Sequence, residues 1–413
     1  MMNTNIHTAD KYPILSVEQA QAHILSYFHP LEAEEVSALE ALGRVLAEDV
    51  YAEADIPPHD NSAMDGYAVR YQDLQGAARP RLRIIGELPA GRVWPGTVGP
   101  GEALRIMTGA PMPAGADTVV RFEDTRVEGE EVTILAVPKR GSNVRLAGED
   151  VRAGKRVLRQ GQVVRPQEVG MLASLGRPKV RVHRKPRVAV LATGDELLSI
   201  DAPPEPGKIR NINSYSNAAQ VLECGGEPLL LEAAPDREDT LAQRLRRALE
   251  LKADLIVTSG GVSVGDFDLV KKVLSSEGHI DFWWVNMKPG RPMAFGTLGG
   301  VPLLALPGNP VAAMISFYLF GRPAVRKMLG HTEGWNLPAI TARLAEAITR
   351  KDNRRHYLRV TLEQTPDGPV ARLTGDQGSG ILTSMVEADG LAVIPEDCHE
   401  LPAGSAVQVL LLS

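Results

Sequence analysis

Arg187-Val-Ala-Val-Leu-Ala-Thr-Gly-Asp-Glu196, Ala253-Asp-Leu-Ile-Val-Thr-Ser-Gly-Gly261 and Val301-Pro-Leu-Leu-Ala-Leu-Pro-Gly-Asn-Pro310 share one pattern: a short apolar run that stops at glycine and polar residues. Runs of this length, bounded by turn residues, fit strands buried on both faces of a sheet. Between them lie segments of helical period, Ser214-Tyr-Ser-Asn-Ala-Ala-Gln-Val-Leu-Glu-Cys224 and Asp239-Thr-Leu-Ala-Gln-Arg-Leu-Arg-Arg-Ala-Leu249. Further strands are expected in EPLLLEA (227–233), IDFWWVNM (280–287) and MAFGTL (293–298), and further helices in DFDLVKKVLSSEG (266–278) and from about Pro310 to Leu329. The alternation from about Arg187 to Gly330 predicts a mainly parallel sheet with helices on both faces, a three-layer α/β domain. Ligands bind such sheets beyond the carboxyl ends of the strands, so the three loops that follow the quoted runs should border one crevice.

The pattern changes on either side. Upstream, from about Arg81 to Val137, short apolar runs alternate with Gly and Pro, as in RLRIIGELPAG and EEVTILAVP, which predicts a small β-rich domain. Near the start, Ser16-Val-Glu-Gln19 has the form of a capping box for a helix running to about Phe28, with Pro30 beyond it. Downstream of His331 the strand-and-turn texture returns in RRHYLRVTL, PVARLTG, LAVIPE and AVQVLLLS, which predicts a C-terminal β domain.

The whole chain has 413 residues, is 44% hydrophobic and 23% charged and has a formal net charge of -6, a globular composition with material for several cores. No Lys/Arg run at either end suggests nucleic acid or an anionic membrane as a partner. Cys224 and Cys398 belong to no C-x-x-C or Cys/His cluster, and both read as buried free thiols. The longest apolar run, Val311 to Phe320, is about half of the ~20 residues that a membrane span needs, and the chain reads as soluble and cytoplasmic.

The crevice loops carry the chemistry. In SGGVSVGDFD (259–268), adjacent glycines let backbone amides approach an oxyanion. Gly260 and Gly265 have the spacing of a P-loop, but Asp266 stands where that motif needs Lys and Phe267 where it needs Ser or Thr, which speaks against an ordinary nucleotidase. Glu196, Asp236, Asp266 and Asp268 collect near these strand ends. Two carboxylates ~4 Å apart repel by roughly 4 kcal/mol at an effective dielectric of about 20, so their convergence would call for a cation, and oxygen donors favour a hard one such as magnesium. Asp236 and Asp268 could equally cap helices. Lys288-Pro-Gly-Arg291 places two cations near the same rim. The residues alone point to metal-assisted work on a phosphate or another oxyanion.

Pro57-Pro-His-Asp-Asn-Ser-Ala-Met-Asp-Gly-Tyr-Ala-Val69 closely resembles the signature of the MoeA and gephyrin E-domain family. Further resemblances follow in order at Ile106-Met-Thr-Gly-Ala110, Gly148-Glu-Asp150, Thr193 to Leu197, Ser259 to Asp268, Met287 to Pro292, Pro307 to Ala312 and Gln377-Gly-Ser-Gly380, so that nearly the whole chain is covered. The resemblance implies a multidomain α/β plus β fold with four parts. These are a discontinuous helical, stalk-like domain (1–55 and 141–180), a β-rich insertion (56–140), a molybdopterin-binding α/β domain (181–330) and a C-terminal β-barrel-like domain (331–413). It also implies a homodimer whose cleft combines the α/β and C-terminal domains of one subunit with the DNSAMDGYAV region of the other.

The activity implied is that of a molybdenum-inserting transferase. Adenylylated molybdopterin and molybdate are its substrates, a divalent cation such as magnesium assists, and AMP and molybdenum cofactor are released. The adenylyltransferase of the same pathway and acceptor molybdoenzymes are implied as partners. By match to the family's motifs, Glu196, Asp236 and Asp268 position metal or water, and Asp60 contributes from the partner subunit. Thr108, Ser259, Gly260, Gly261, Lys288, Arg291, Pro307, Gly308, Asn309, Arg359 and Ser379 would bind the substrates. Asp65 and Asp150 fit structural roles in turns at least as well. Trp284 stands where many relatives carry a basic residue, so positive charge there must come from Lys288, Arg291 or elsewhere. Two other activities fit parts of the chain: a peptide-binding scaffold of gephyrin E-domain type, and an adenylyltransferase acting on molybdopterin and ATP.

Overall fold

The computed structural model describes residues 13–260 and 278–412; Gly261, Asp266, Asp268 and the expected helix that follows them lie outside the described residues. The α/β domain is built on a seven-stranded mixed sheet in the order Ile14–Leu15, Gly278–Val285, Pro292–Leu298, Val301–Leu306, Leu255–Ser259, Arg187–Ala192, Glu227–Leu230. The three strands quoted first are central and mutually parallel. Pro292–Leu298 runs antiparallel to both of its neighbours, because the short connections 286–291 before it and 299–300 after it leave no room for a crossover helix.

One face of the sheet packs under helices Val17–Leu25, Asn213–Glu223 and the run from Pro310 to Met328, and the other under Glu238–Glu250, giving two separate cores. The last helical run is α-helical to Ser316, widens into a π-turn over Phe317–Gly321 and resumes as Arg322–Met328.

The capping box at Ser16 forms as expected: Gln19 donates its amide to the Ser16 hydroxyl at 3.1 Å, and the Ser16 amide donates to the Gln19 side chain at 2.9 Å. The helix stops at Leu25, one turn earlier than expected. Its buried face, Val17, Ala20 and Ile24, belongs to the α/β core, and Ile14–Leu15 extends the α/β sheet. The stalk proper is therefore made of residues from about 30 onward. Within it, Ala33–Ser37 pairs with Lys179–His183, Val50–Tyr51 with Arg156–Leu158, and Asn61–Ser62 with Val144–Arg145. A small core of Leu46, Val50, Leu158, Leu172 and Val182 lies between these ribbons and the single stalk helix, Pro166–Ser174. Residues 66–134 form a six-stranded sheet inserted into this stalk.

The C-terminal domain closes on itself. Arg355–Thr365, Gly368–Leu373, Ala339–Leu344, Ala406–Leu411 and Gly390–Ile394 pair in that order, and Gly390–Ile394 returns to Arg355–Thr365, completing a five-stranded barrel without free edges. Met287–Lys288, which follows directly on an α/β strand, pairs with Arg355–His356 of the barrel. Beside it the Arg355 amide donates to the Asn286 carbonyl at 3.0 Å, and the Asn286 side chain donates to the Asn353 carbonyl at 3.0 Å.

Candidate active site

The parallel strands bring their terminal loops to one edge of the sheet, and the barrel stands opposite. Between them lies a cleft of about 980 Å³. Its α/β wall carries Thr193, Glu196, Ser259, Gly260 and the Pro307-Gly-Asn-Pro310 turn; its barrel wall carries Arg354, His356, Arg359 and Gln377 to Ser379; Lys288 and Arg291 stand where the two meet.

Close backbone approach shapes the floor. Gly260 has φ +86, and a Cβ there would lie 2.3 Å from the carbonyl oxygen of Thr193. Only glycine fits such a position. The Thr193 amide in turn donates to the Ser259 carbonyl at 2.9 Å, so the loops after neighbouring strands are bonded together. The Thr193 and Ser259 hydroxyls are buried and have no hydrogen-bond partner among the described residues. Buried hydroxyls normally find partners, so two of them on one cleft wall mark a place for ligand oxygens.

The barrel wall depends on Arg359, which is 1% exposed. Its guanidinium donates to the Ser384 hydroxyl at 3.1 Å and to the Gly378 carbonyl at 3.0 Å, and its amide donates to the Gln377 side chain at 2.8 Å. Burial pulls its pKa below the ordinary arginine value, with Asp376 opposing. These contacts fix the 376–380 loop. From that loop the Ser379 hydroxyl accepts from the Asn309 side chain at 2.9 Å, and the Ser379 carbonyl accepts from the Val311 amide at 3.2 Å, which joins the loop to the Pro307–Pro310 turn.

His356 donates through Nε2 to the Asp352 carboxylate at 2.8 Å, and Arg354 donates to the same carboxylate at 2.6 Å. Burial lowers the His356 pKa, with Asp352 opposing and Lys288 and Arg350 adding to the fall.

Glu196, Ser259, Gly260, Lys288, Arg291, Pro307, Gly308, Asn309, Arg359 and Ser379 thus line one cleft. Asp236 does not line it but sits on the adjoining loop: its amide donates to the Asp195 carboxylate at 3.0 Å, and Gly194 donates to the Ala234 carbonyl at 3.1 Å. Asp60 and Thr108 do not line this cleft either. The Asp60 carboxylate accepts from the Ala147 amide at 2.8 Å, and Thr108 is held by Asp65, which accepts from its amide at 2.7 Å and its hydroxyl at 2.8 Å. Among the described residues no group of three His, Cys, Asp or Glu side chains converges as a metal site. Asn213, Arg210, Arg354, His356 and Gln377 also line the cleft although sequence reading did not single them out as site residues. Lys351-Asp-Asn-Arg-Arg-His356 reads as a charged turn before a strand, and only the barrel's orientation decides that Arg354 and His356 face the α/β loops.

The chain is matched by "MoeA N-terminal region (domain I and II)" over residues 15–176, by "Probable molybdopterin binding domain" over 189–327, and by "MoeA C-terminal region (domain IV)" over 341–412. It is 39% identical to a molybdopterin molybdenumtransferase of Nostoc, covering 92% of this chain and 89% of that protein. The chain belongs to the MoeA family. It is also 35% identical to the molybdopterin molybdenumtransferase of Haemophilus influenzae, over 96% of this chain and 98% of that one. The crystal structure of a molybdopterin biosynthesis MoeA protein from Pyrococcus horikoshii superposes with a TM-score of 0.85 at 33% identity, covering 97% of this chain and 99% of that chain. In this MoeA chain no described helix is long and apolar enough to cross a membrane.

Of the two cysteines, Cys224 is buried, with its thiol pushed up to about 11 chiefly by burial, and Cys398 is only half-buried; they are not bonded to each other.

Proposed function

We propose that the chain is a molybdopterin molybdenumtransferase, which takes adenylylated molybdopterin and molybdate and yields molybdenum cofactor and AMP. The observation that carries this reading is the shared cleft. Three strand-end loops, two of them with an unpartnered buried hydroxyl, face Arg354 across a space of ligand size, with Lys288 and Arg291 at its end. A substrate with phosphoryl groups at one end and an oxyanion to receive at the other suits that polarity. Ser259, Gly260 and the Pro307–Asn309 turn hold oxygens through backbone and hydroxyl groups, Lys288 and Arg291 supply charge, and Arg359 keeps Ser379 in position.

A divalent cation such as magnesium would be held by carboxylates near the strand ends. Glu196 lines the cleft, Asp236 lies on the loop bonded to it, and Asp268 completes the acidic set proposed from the sequence. When bound, the cation would neutralise the phosphoanhydride oxygens. Asp60 comes from the partner subunit of a homodimer, in keeping with its absence from the cleft lining of its own chain. The enzyme works in the cytoplasm beside the adenylyltransferase that makes its substrate and the molybdoenzymes that receive its product.

Incubation with adenylylated molybdopterin and molybdate should release AMP and load molybdenum, whereas incubation with molybdopterin and ATP should not consume ATP. The reverse result would make the chain an adenylyltransferase, and neither reaction would favour a binding role. Asp268→Asn should keep substrate affinity and slow AMP release, with partial recovery at raised divalent cation; an unchanged rate would remove Asp268 from the site. Light scattering should give a dimer, and mixing Asp60→Ala with Lys288→Ala subunits should restore activity that neither homodimer has, because one intact cleft forms in each mixed pair. Failure of the mixture to exceed its parents would place Asp60 elsewhere.

A further inference from the structure

Trp283 and Trp284 are adjacent on one strand and therefore point to opposite faces of the sheet. Trp283 is in the core, packed edge-on against His23 with ring centroids 5.0 Å apart. Trp284 has another partner: the Arg291 guanidinium lies over its ring, with Cζ 4.0 Å from the centroid. The two residues are brought together by the connection between the Gly278–Val285 and Pro292–Leu298 strands, where the Val285 amide donates to the Arg291 carbonyl at 2.9 Å and Trp284 stands opposite Pro292. The backbone thus fixes both ends of the pair.

Arg291 lines the cleft, yet its Nε is buried without a hydrogen-bond partner among the described residues. The nearby carboxylate of Asp352 is already taken by Arg354 and His356. Burial lowers the Arg291 pKa, Arg354 lowers it further, and Asp352 only partly offsets this. A guanidinium in this state has lost water without gaining a carboxylate, and an aromatic face is its compensation.

We propose that Trp284 is a positioning residue for the site described above: its indole holds the Arg291 guanidinium at the cleft wall as an unpaired cation ready for a tetrahedral oxyanion, either molybdate or a phosphoryl group of the substrate. The proposal rests on the transferase reading for its ligands, but its test needs no turnover. The indole gives no charge. It lets a nearby charge stay partly desolvated, and so bind oxyanions more tightly than a freely hydrated arginine could.

The test is equilibrium binding of molybdate and, separately, of AMP to the full-length protein and its variants. Trp284→Leu should weaken binding of at least one of the two anions by about three- to thirtyfold, the range expected for loss of a partly desolvated cation–π contact. Trp284→Phe, which keeps an aromatic face, should stay within about threefold of the parent. Arg291→Ala should weaken the same anion, and the double variant Trp284→Leu/Arg291→Ala should be no worse than Arg291→Ala alone. The anion affected tells molybdate from phosphoryl binding. The difference in fluorescence between the parent protein and Trp284→Phe should change when that anion binds, because the ring touches the group that receives it. Unchanged affinity for both anions in Trp284→Leu, equal losses in the Leu and Phe variants, or additive losses in the double variant would each overturn the proposal. If Trp284→Leu melts early, the cycle is run with Trp284→Met, which fills the space without an aromatic face, and Arg291→Ala, and judged by the same non-additivity. Intact anion binding with no molybdenum transfer would count against the transferase reading and leave this one standing.

Discussion

Gly260→Ala is a one-methyl change with a large expected effect. A Cβ at this position would sit 2.3 Å from the Thr193 carbonyl oxygen, whereas the closest ordinary C···O contacts are about 3.3 Å. The obstacle is backbone, so no side chain can swing aside, and the loops after the two strands must separate by about 1 Å. The φ of +86 adds roughly 1–2 kcal/mol of left-handed strain. That is small beside the stability of a folded domain, so the protein should still fold. Displacing Ser259 and Glu196 by about 1 Å should, however, lower kcat/KM for AMP release by about a hundredfold. Gly308→Ala is the internal control. It has no positive φ, and its Cβ would meet the Gly260 Cα at an ordinary 3.5 Å, so its loss should be much smaller. The assay is steady-state AMP release, with calorimetry to check folding. A Gly260→Ala enzyme within threefold of the parent would refute the claim that this contact sets the cleft floor.

Arg359→Met removes the donors that hold Gly378 and Ser384 and leaves buried acceptors unpaired, a loss of roughly 2–4 kcal/mol within the barrel. Hydrogen exchange in residues 376–380 should rise and KM should increase; unaltered exchange there would mean that Arg359 does not hold the loop. His331 is held down to about 4 by burial, with Arg326 and Arg322 adding to the effect. Because the unfolded chain then binds more protons than the folded one, stability is complete above about pH 6.5 and is lost as pH falls toward 4, and His331→Gln should flatten this part of a melting-temperature profile. Glu168, whose carboxylate is held at about 2 chiefly by hydrogen bonds from Arg165, contributes stability that is present above its ordinary value of 4.5 and lost as pH falls toward 2; in Glu168→Gln that acid-range loss should be reduced.

The sequence was most informative where period and punctuation agree. The buried strands at 187–192, 255–259 and 301–306 ended within a residue or two of where the apolar runs end, and the capping box at Ser16 formed from its two side chains. The α/β wall of the cleft followed from those strand ends. The N-terminal helix was visible as a helix, but nothing local shows that Val17, Ala20 and Ile24 pack on the α/β sheet rather than in the stalk, since an apolar stripe does not identify its partner. The C-terminal barrel was expected from the family resemblance alone; no local pattern shows its closure, which depends on Gly390–Ile394 meeting Arg355–Thr365 across a long stretch of chain. On the barrel side of the cleft, Arg359 and Ser379 were named through the resemblance and the rest was not. Lys288 was read from its own turn, whereas Arg354 and His356 matter only because Met287–Lys288 pairs beside them. Trp284 was legible only as an oddity, and its meaning lies in a contact with Arg291 across the turn.

The pairing of Met287–Lys288 with Arg355–His356 is a spine along which the two walls of the cleft are stitched, and the Asn309 and Val311 bonds to Ser379 are a clasp on another side. The spine is backbone ladder reinforced by Asn286, and a few residues beyond the clasp Leu382 and Met385 pack into the same apolar core as the α/β strands and helices. Parting the walls at the clasp would therefore uncover apolar surface as well as break hydrogen bonds, so the width of the cleft is set by the fold before a substrate arrives. Lys288 and Arg291 at the spine and Ser379 at the clasp thus meet an incoming substrate as a mould already cast, not as a hand that closes on it.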